Sequence, residues 1–117
     1  MRYSLLTQKG DKLAQSAIIA EGYFQRMKGL MFQREFNGLD AMIFKSCNGI
    51  HTCFMLMSID VLFLNKKNEV VKIYKSLRPW RFTRFVWGAN KVIELPSSTL
   101  DEKVQIGDKL EIKCISS

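Results

Sequence analysis

Ile59-Asp60-Val61-Leu62-Phe63-Leu64, followed by Asn65-Lys66-Lys67-Asn68 and then Glu69-Val70-Val71-Lys72-Ile73-Tyr74-Lys75, decides the fold class. The first run is short, rich in β-branched and aromatic side chains, and closes on a polar turn. Together with Phe54-Met55-Leu56-Met57 just ahead of it, it reads as a central strand entering a hairpin. In the returning segment Val71 and Ile73 are expected on one face and Lys72 and Tyr74 on the other, the alternation of a sheet with one wet face. Arg78-Pro79-Trp80 ends that strand, because proline has no N–H to give a ladder.

Working outward, Lys12 to Ala20 and Ala41-Met42-Ile43-Phe44 read as strands, separated by the turn signal Asn37-Gly38-Leu39-Asp40. Between them Phe24, Met27 and Leu30 or Met31 recur at helical spacing, so Tyr23 to Met31 is predicted to form a short helix ending near Gly29. Phe82 to Ala89 is compatible with either an ordered loop or an edge strand. Lys91-Val92-Ile93-Glu94-Leu95 is a strand stopped by Pro96. Ser97-Ser98-Thr99 offers a hydroxyl cap to a second short helix carrying Asp101 or Glu102 in its first turn. A terminal strand follows Ile106-Gly107-Asp108, with Leu110, Ile112 and Cys114 on one face. Helices this short cannot supply the repeated crossovers of a doubly wound sheet. The expected fold is mainly β, a compact antiparallel sandwich or partly closed barrel with one or two short helices, formed by residues 1–117 as a single domain.

Composition sets the outer limits. A chain of 117 residues fits one domain, and 47% hydrophobic content excludes a disordered one. No run reaches the 18 or so apolar residues that span a bilayer. The first ten residues lack the apolar stretch of a secretion signal, so a cytoplasmic location is the default expectation. Three cysteines, Cys47, Cys53 and Cys114, are too few and too odd in number for a disulfide scaffold.

Several groups could carry chemistry. His51 is the sole histidine and lies close in sequence to Cys47 and Cys53. The spacing Cys-x3-His-x-Cys matches no common zinc grouping, and no fourth ligand is evident, so no metal and no cofactor are expected. The same residues could pair a thiol nucleophile with its base, though nothing local supplies an oxyanion pocket. Asp60 interrupts an apolar strand, where a carboxylate must be hydrogen bonded or paired. It either pins nearby backbone N–H groups or lines a polar pocket with His51 and Arg26, the arrangement a small enzyme would need.

The strongest surface feature is basic and aromatic. The net charge is +7, and between Glu69 and Glu94 there is no acidic residue while Lys72, Lys75, Arg78, Arg81, Arg84 and Lys91 are all cationic. Tyr74, Trp80, Phe82, Phe85 and Trp87 are interleaved with them. Guanidinium forks clamp phosphates or carboxylates, and exposed rings stack on bases or present a flat apolar face to a protein. Lys75, Arg78, Trp80, Arg81, Arg84 and Trp87 are therefore the candidate partner-binding residues of a noncatalytic accessory protein. Single-stranded nucleic acid is the alternative ligand, although neither the RNA-binding sheet signature nor a glycine clamp is present.

The chain resembles the DUF192 family over about Ala20 to Ile112. The resemblance rests on Arg26-Met27-Lys28-Gly29-Leu30-Met31, Ala41 to Phe44, Ile50-His51-Thr52-Cys53-Phe54-Met55 leading into Ile59 to Leu64, Arg78-Pro79-Trp80, Val92-Ile93-Glu94-Leu95-Pro96 and Gly107-Asp108. It implies a compact β-rich domain and supplies no agreed activity, substrate or cofactor. It adds Glu94 to the candidate pocket of Arg26, His51 and Asp60, since these positions match the family's recurrent motifs, as do Gly29, Met31, Met55 and Gly107. Leu56-Met57-Ser58 departs from the lysine and threonine that many relatives carry there. The resemblance also implies a protein partner in envelope or pilus assembly.

Overall fold

The computed structural model describes residues 1–20, 33–36, 38–83 and 85–116. Seven strands follow one another along the chain: β1 (Arg2–Leu6), β2 (Lys12–Ile19), β3 (Ala41–Lys45), β4 (Ile59–Leu64), β5 (Val70–Leu77), β6 (Lys91–Pro96) and β7 (Glu111–Ser116). They form one sheet in the order β5-β4-β6-β3-β2-β1-β7. No helix among the described residues is long and apolar enough to cross a membrane.

Burial explains why the middle of this sheet is so apolar. Every residue of β4 is buried, and so are Val92 to Leu95 of β6 and Ala41 to Phe44 of β3. Side chains alternate across a strand, so a strand covered on both faces must be apolar at consecutive positions. Leu62, Leu64, Ile93, Leu95, Ala41 and Ile43 enter one apolar layer with Leu5, Leu13, Ala17, Leu100 and Leu110. Ile59, Val61, Phe63, Val92, Met42 and Phe44 enter a second layer with Phe36 and Met55.

The expected antiparallel sandwich or partly closed barrel is corrected on three counts. First, the sheet is mixed, because β2 and β3 run parallel with Ala17, Ile18 and Ile19 opposite Ala41, Met42 and Ile43. A single long connection, residues 20–40, suffices for one parallel pair, since such a pair needs a dozen or more residues to cross over. Asp40 fastens this junction by accepting the N–H groups of Gln15 and Ser16, both at 2.8 Å. Second, the two halves form one sheet that is not closed into a barrel. Its ends meet through an isolated bridge between Glu69 and Lys109, hydrogen bonds of Val70 with Gly107 and Asp108, and the Leu110 N–H donated to Asn68 O at 2.9 Å. Third, the described residues contain no helix. The helix predicted for Tyr23 to Met31 lies outside them. The one predicted after Ser97 is a pair of turns, because Ser98 and Asp101 take φ of 72° and 43°, which a right-handed helix does not admit.

Smaller readings also change. Phe54 to Met57 belong to a loop, and β4 begins at Ile59. Strand β1, unread in the sequence, pairs with both β2 and β7. In β5 the register shifts between the Phe63–Lys72 and Leu64–Val70 pairs. Val71 is therefore an extra residue, which sends it to the second layer while Ile73 goes to the first. The wet face expected of this hairpin is thus confined to the outer part of β5.

Burial of β4 on both faces makes a direct prediction. Leu62→Ala and Phe63→Ala, neighbours that point in opposite directions, should each lower stability by about 3–5 kcal/mol in urea titrations. Near-neutral behaviour of either variant would mean that one face of β4 is wet.

Candidate functional site

The segment after β5 forms a ribbon with residues 47–52. Thr83 donates its N–H to Ile50 O and Val86 to Asn48 O, both at 2.9 Å, while Cys47 donates to Asn90 O at 3.0 Å. His51 and Phe82 form an isolated antiparallel bridge, so the described residues of the ambiguous stretch Phe82 to Ala89 form a loop that pairs locally rather than an edge strand. Val86 and Ala89 pack inward on the second apolar layer together with Ile50 and Cys47.

Thr52 clasps this ribbon. It is wholly buried, and its Oγ1 donates to Arg78 O at 2.6 Å while accepting the Arg81 N–H at 2.8 Å. Its own N–H donates to Arg81 O at 2.8 Å, and its carbonyl accepts the N–H groups of Trp80 and Met55. One threonine thus satisfies most of the backbone polar groups of the turn from Arg78 to Arg81, which has no strand partner to do so.

That turn holds aromatic rings outward. Trp80 is 57% and Trp87 88% exposed, and Phe54, Phe82 and Phe85 are exposed as well. Phe54 and Trp80 meet edge to face with ring centroids 4.6 Å apart. Both have left-handed backbones, with φ of 65° and 63°. For non-glycine residues this conformation costs roughly 1–2 kcal/mol each, and such strain collects at functional positions. Lys75, Arg78 and Arg81 are exposed on the same stretch of chain, and none forms an ion pair among the described residues. Arg84, predicted to join them, lies outside the described residues.

Of the four pocket candidates, the three that lie among the described residues, His51, Asp60 and Glu94, do not converge. Asp60 pairs with Leu95 and shares its face, the first apolar layer, whereas Glu94 stands opposite Val61 and Met42 on the second. His51 is exposed on the ribbon, where its Nδ1 accepts the Cys53 N–H at 3.2 Å and its ring faces Phe82. Arg26 lies outside the described residues. Asp60 accepts the N–H of Ser76 at 2.8 Å and of Leu100 at 2.9 Å, tying β5 and the loop after β6 to the sheet centre. Cys47 donates to Gly49 O, and Cys114 lies far along the chain on β7. Among the described residues no three His, Cys, Asp or Glu side chains gather as metal ligands would.

Glu94 is the unusual member. It is 3% exposed, its Oε1 has no hydrogen-bond partner, and burial pushes its carboxyl up to about 8.

A family model matches residues 5–112, that of DUF192, described as Uncharacterized ACR. The chain belongs to the DUF192 family. Curated relatives of this DUF192 chain include the UPF0127 proteins of Thermococcus sibiricus, 40% identical over 98 residues, and of Pyrococcus furiosus, 32% identical over 107. The matches cover 80% and 88% of this chain, and 63% and 91% of those relatives. Two solved structures share the fold. One is a candidate transcription regulator from Sinorhizobium meliloti (TM-score 0.75, 23% identity, 95% of this chain and 92% of that one). The other, of unknown function, is from Novosphingobium aromaticivorans (TM-score 0.76, 19% identity, 93% and 82%).

Sequence reasoning missed Thr52 and the outward placement of Phe54. A threonine hydroxyl serves equally well on the surface or inside, and Phe54 continues the apolar run of the central strand, with Ser58 as the one break in that run.

Two predictions follow from this geometry. Thr52→Val keeps the shape but leaves Arg81 N–H and Arg78 O unsatisfied, so it should cost about 2 kcal/mol and expose the 78–87 loop to limited proteolysis, whereas Thr52→Ser should retain most of both properties. For Glu94, the folded chain keeps a proton that the unfolded chain, with an ordinary value of 4.5, loses. The contribution of Glu94 to stability should therefore be fully present below about pH 4.5, decline as pH rises to about 8 and be lost beyond. The total is on the order of 3–5 kcal/mol, and Glu94→Gln should abolish this part of the slope in denaturation measured across the range.

Proposed function

We propose that this DUF192 chain is a noncatalytic binding module whose basic aromatic face, centred on Trp80, takes single-stranded nucleic acid. The observation that supports the reading is the row of exposed rings on a loop clasped by Thr52, with exposed cations in the same stretch of chain. Stacking uses the π-face that every base offers, while Arg and Lys follow the phosphates. Lys75, Arg78 and Arg81 supply that charge in a stretch with no acidic residue from Val70 to Ile93. Arg84 and Trp87 extend the same face in sequence. The description of the Sinorhizobium neighbour as a candidate transcription regulator agrees with a nucleic-acid ligand.

The enzyme reading loses support because Asp60 and Glu94 face opposite layers and His51 lies outside both. A protein partner of envelope or pilus assembly would use the same rings, but its affinity would not fall with salt in proportion to the phosphates contacted.

Anisotropy of a labelled single-stranded oligonucleotide tests the reading. Engagement of Lys75, Arg78 and Arg81 should give a slope of log affinity against log salt of about −2. Trp80→Ala with Arg81→Ala should weaken binding by roughly 10- to 100-fold, as expected for loss of one stacked base and one phosphate contact. Absent binding at low salt, or equal binding by the double variant, would reject the proposal.

A further inference from the structure

The loop that begins at Trp80 ends at a second group of cations. Asn90 donates its N–H to Leu64 O at 2.7 Å, which sets the turn Val86 to Ala89 beside the β4–β5 turn. Gly88 makes the first of these turns possible with φ of 82° and leaves Trp87 projecting at its tip. An open depression lies between the two turns, lined by Lys66, Lys67, Gly88 and Asn90 and also by the acidic residue Glu69. Both lysines are exposed.

Further positive charge collects at this end of the sheet. Lys45 and Lys91 stand directly opposite each other on β3 and β6, and Lys91 also pairs with Leu64. Like charges placed so are destabilising unless something anionic sits nearby. The nearby acids bond to neutral groups and pair with none of these lysines: Glu69 accepts from the Asn65 amide at 2.9 Å, and Asp108 accepts the Gln105 N–H at 3.0 Å. Lys91 titrates below its ordinary value, through burial first and the charge of Lys45 second, as expected where a cation lacks a counter-ion.

We infer that Lys66, Lys67 and Trp87 form a second anchor, which stacks one base and holds phosphates of the same strand bound at Trp80. The inference rests on the function proposed above and specifies its ligand as a strand long enough to follow the ribbon from end to end. Fully extended, residues 81–90 would reach about 30 Å at roughly 3.3 Å per residue, and the turn from Val86 to Ala89 makes the path shorter than that. A span of that kind falls within the roughly 4–16 nucleotides that single-strand-binding domains cover. Short oligonucleotides fill one anchor and long ones bridge both, so affinity depends on length beyond the first few nucleotides.

The test uses oligothymidylates of about 3 and about 12 nucleotides, either side of the lower bound of that span. In the intact chain the longer one should bind at least tenfold more tightly. Lys66→Gln with Lys67→Gln should remove most of that advantage and reduce the salt slope for the longer strand by about 1.4, the share of two phosphates. Binding of the shorter strand should change less than twofold. In a Trp80→Phe protein the remaining tryptophan is Trp87, and the longer strand should quench its fluorescence. Binding of the longer strand with Trp87 unquenched, or with no effect of the lysine substitutions, would overturn the second anchor while leaving the site at Trp80 intact. Failure of both strands to bind the intact chain would overturn the two together.

Discussion

Burial of β4, β6 and β3 on both faces is the constraint on which the rest of the structure depends. A strand with two covered faces has no wet side on which to place a polar group, so each polar residue in it must be satisfied internally or kept neutral. Asp60 and Glu94 answer this demand differently. Asp60 accepts two backbone N–H groups from segments that have lost their ladder partners, Ser76 at a kink of β5 and Leu100 in the loop after β6. Its carboxyl group thereby becomes a fastening for the first apolar layer. Glu94 faces the second layer with an oxygen unpartnered and remains protonated near neutral pH. The two carboxyls are neighbours in the sheet, yet the thickness of the strand separates their environments.

The second apolar layer is what positions the candidate site. Strands β4, β6 and β3 present Val61, Phe63, Val92 and Phe44 on that side, and the ribbon of residues 47–52 and 81–90 lies over them with Ile50, Val86 and Ala89 turned inward. Once these small and aliphatic groups face the core, the larger rings between them have nowhere to go but outward. Thr52 stabilises the result by bonding the backbone of the tight turn at Arg78 to Arg81. The left-handed φ of Phe54 and Trp80 is the cost of presenting both rings together.

Much of this was legible in local sequence. The apolar runs Ala41 to Phe44, Ile59 to Leu64 and Val92 to Leu95, the hairpin at Asn65 to Asn68 and the stop at Pro79 are visible because side-chain periodicity and turn chemistry are properties of a few adjacent residues. The absence of acidic residues between Glu69 and Glu94 is likewise a one-dimensional fact. The extra residue at Val71 was not legible, because a bulge exists only relative to the partner strand. Nor was the failure of Ser97 to Glu102 to form a helix. Its composition suits a cap, but Asp60, forty residues away from Leu100, accepts the N–H of Leu100 at the heart of that turn.

By itself, the sequence determined that the chain is built of strands and that its cations and rings crowd one segment, since hydrophobic pattern and charge are written residue by residue. Tertiary structure alone decided the parallel pairing of β2 with β3, the opposite orientations of Asp60 and Glu94, and the role of Thr52. Each of these depends on which distant backbone lies alongside, and the closing of long loops that brings such segments together leaves little trace in local composition.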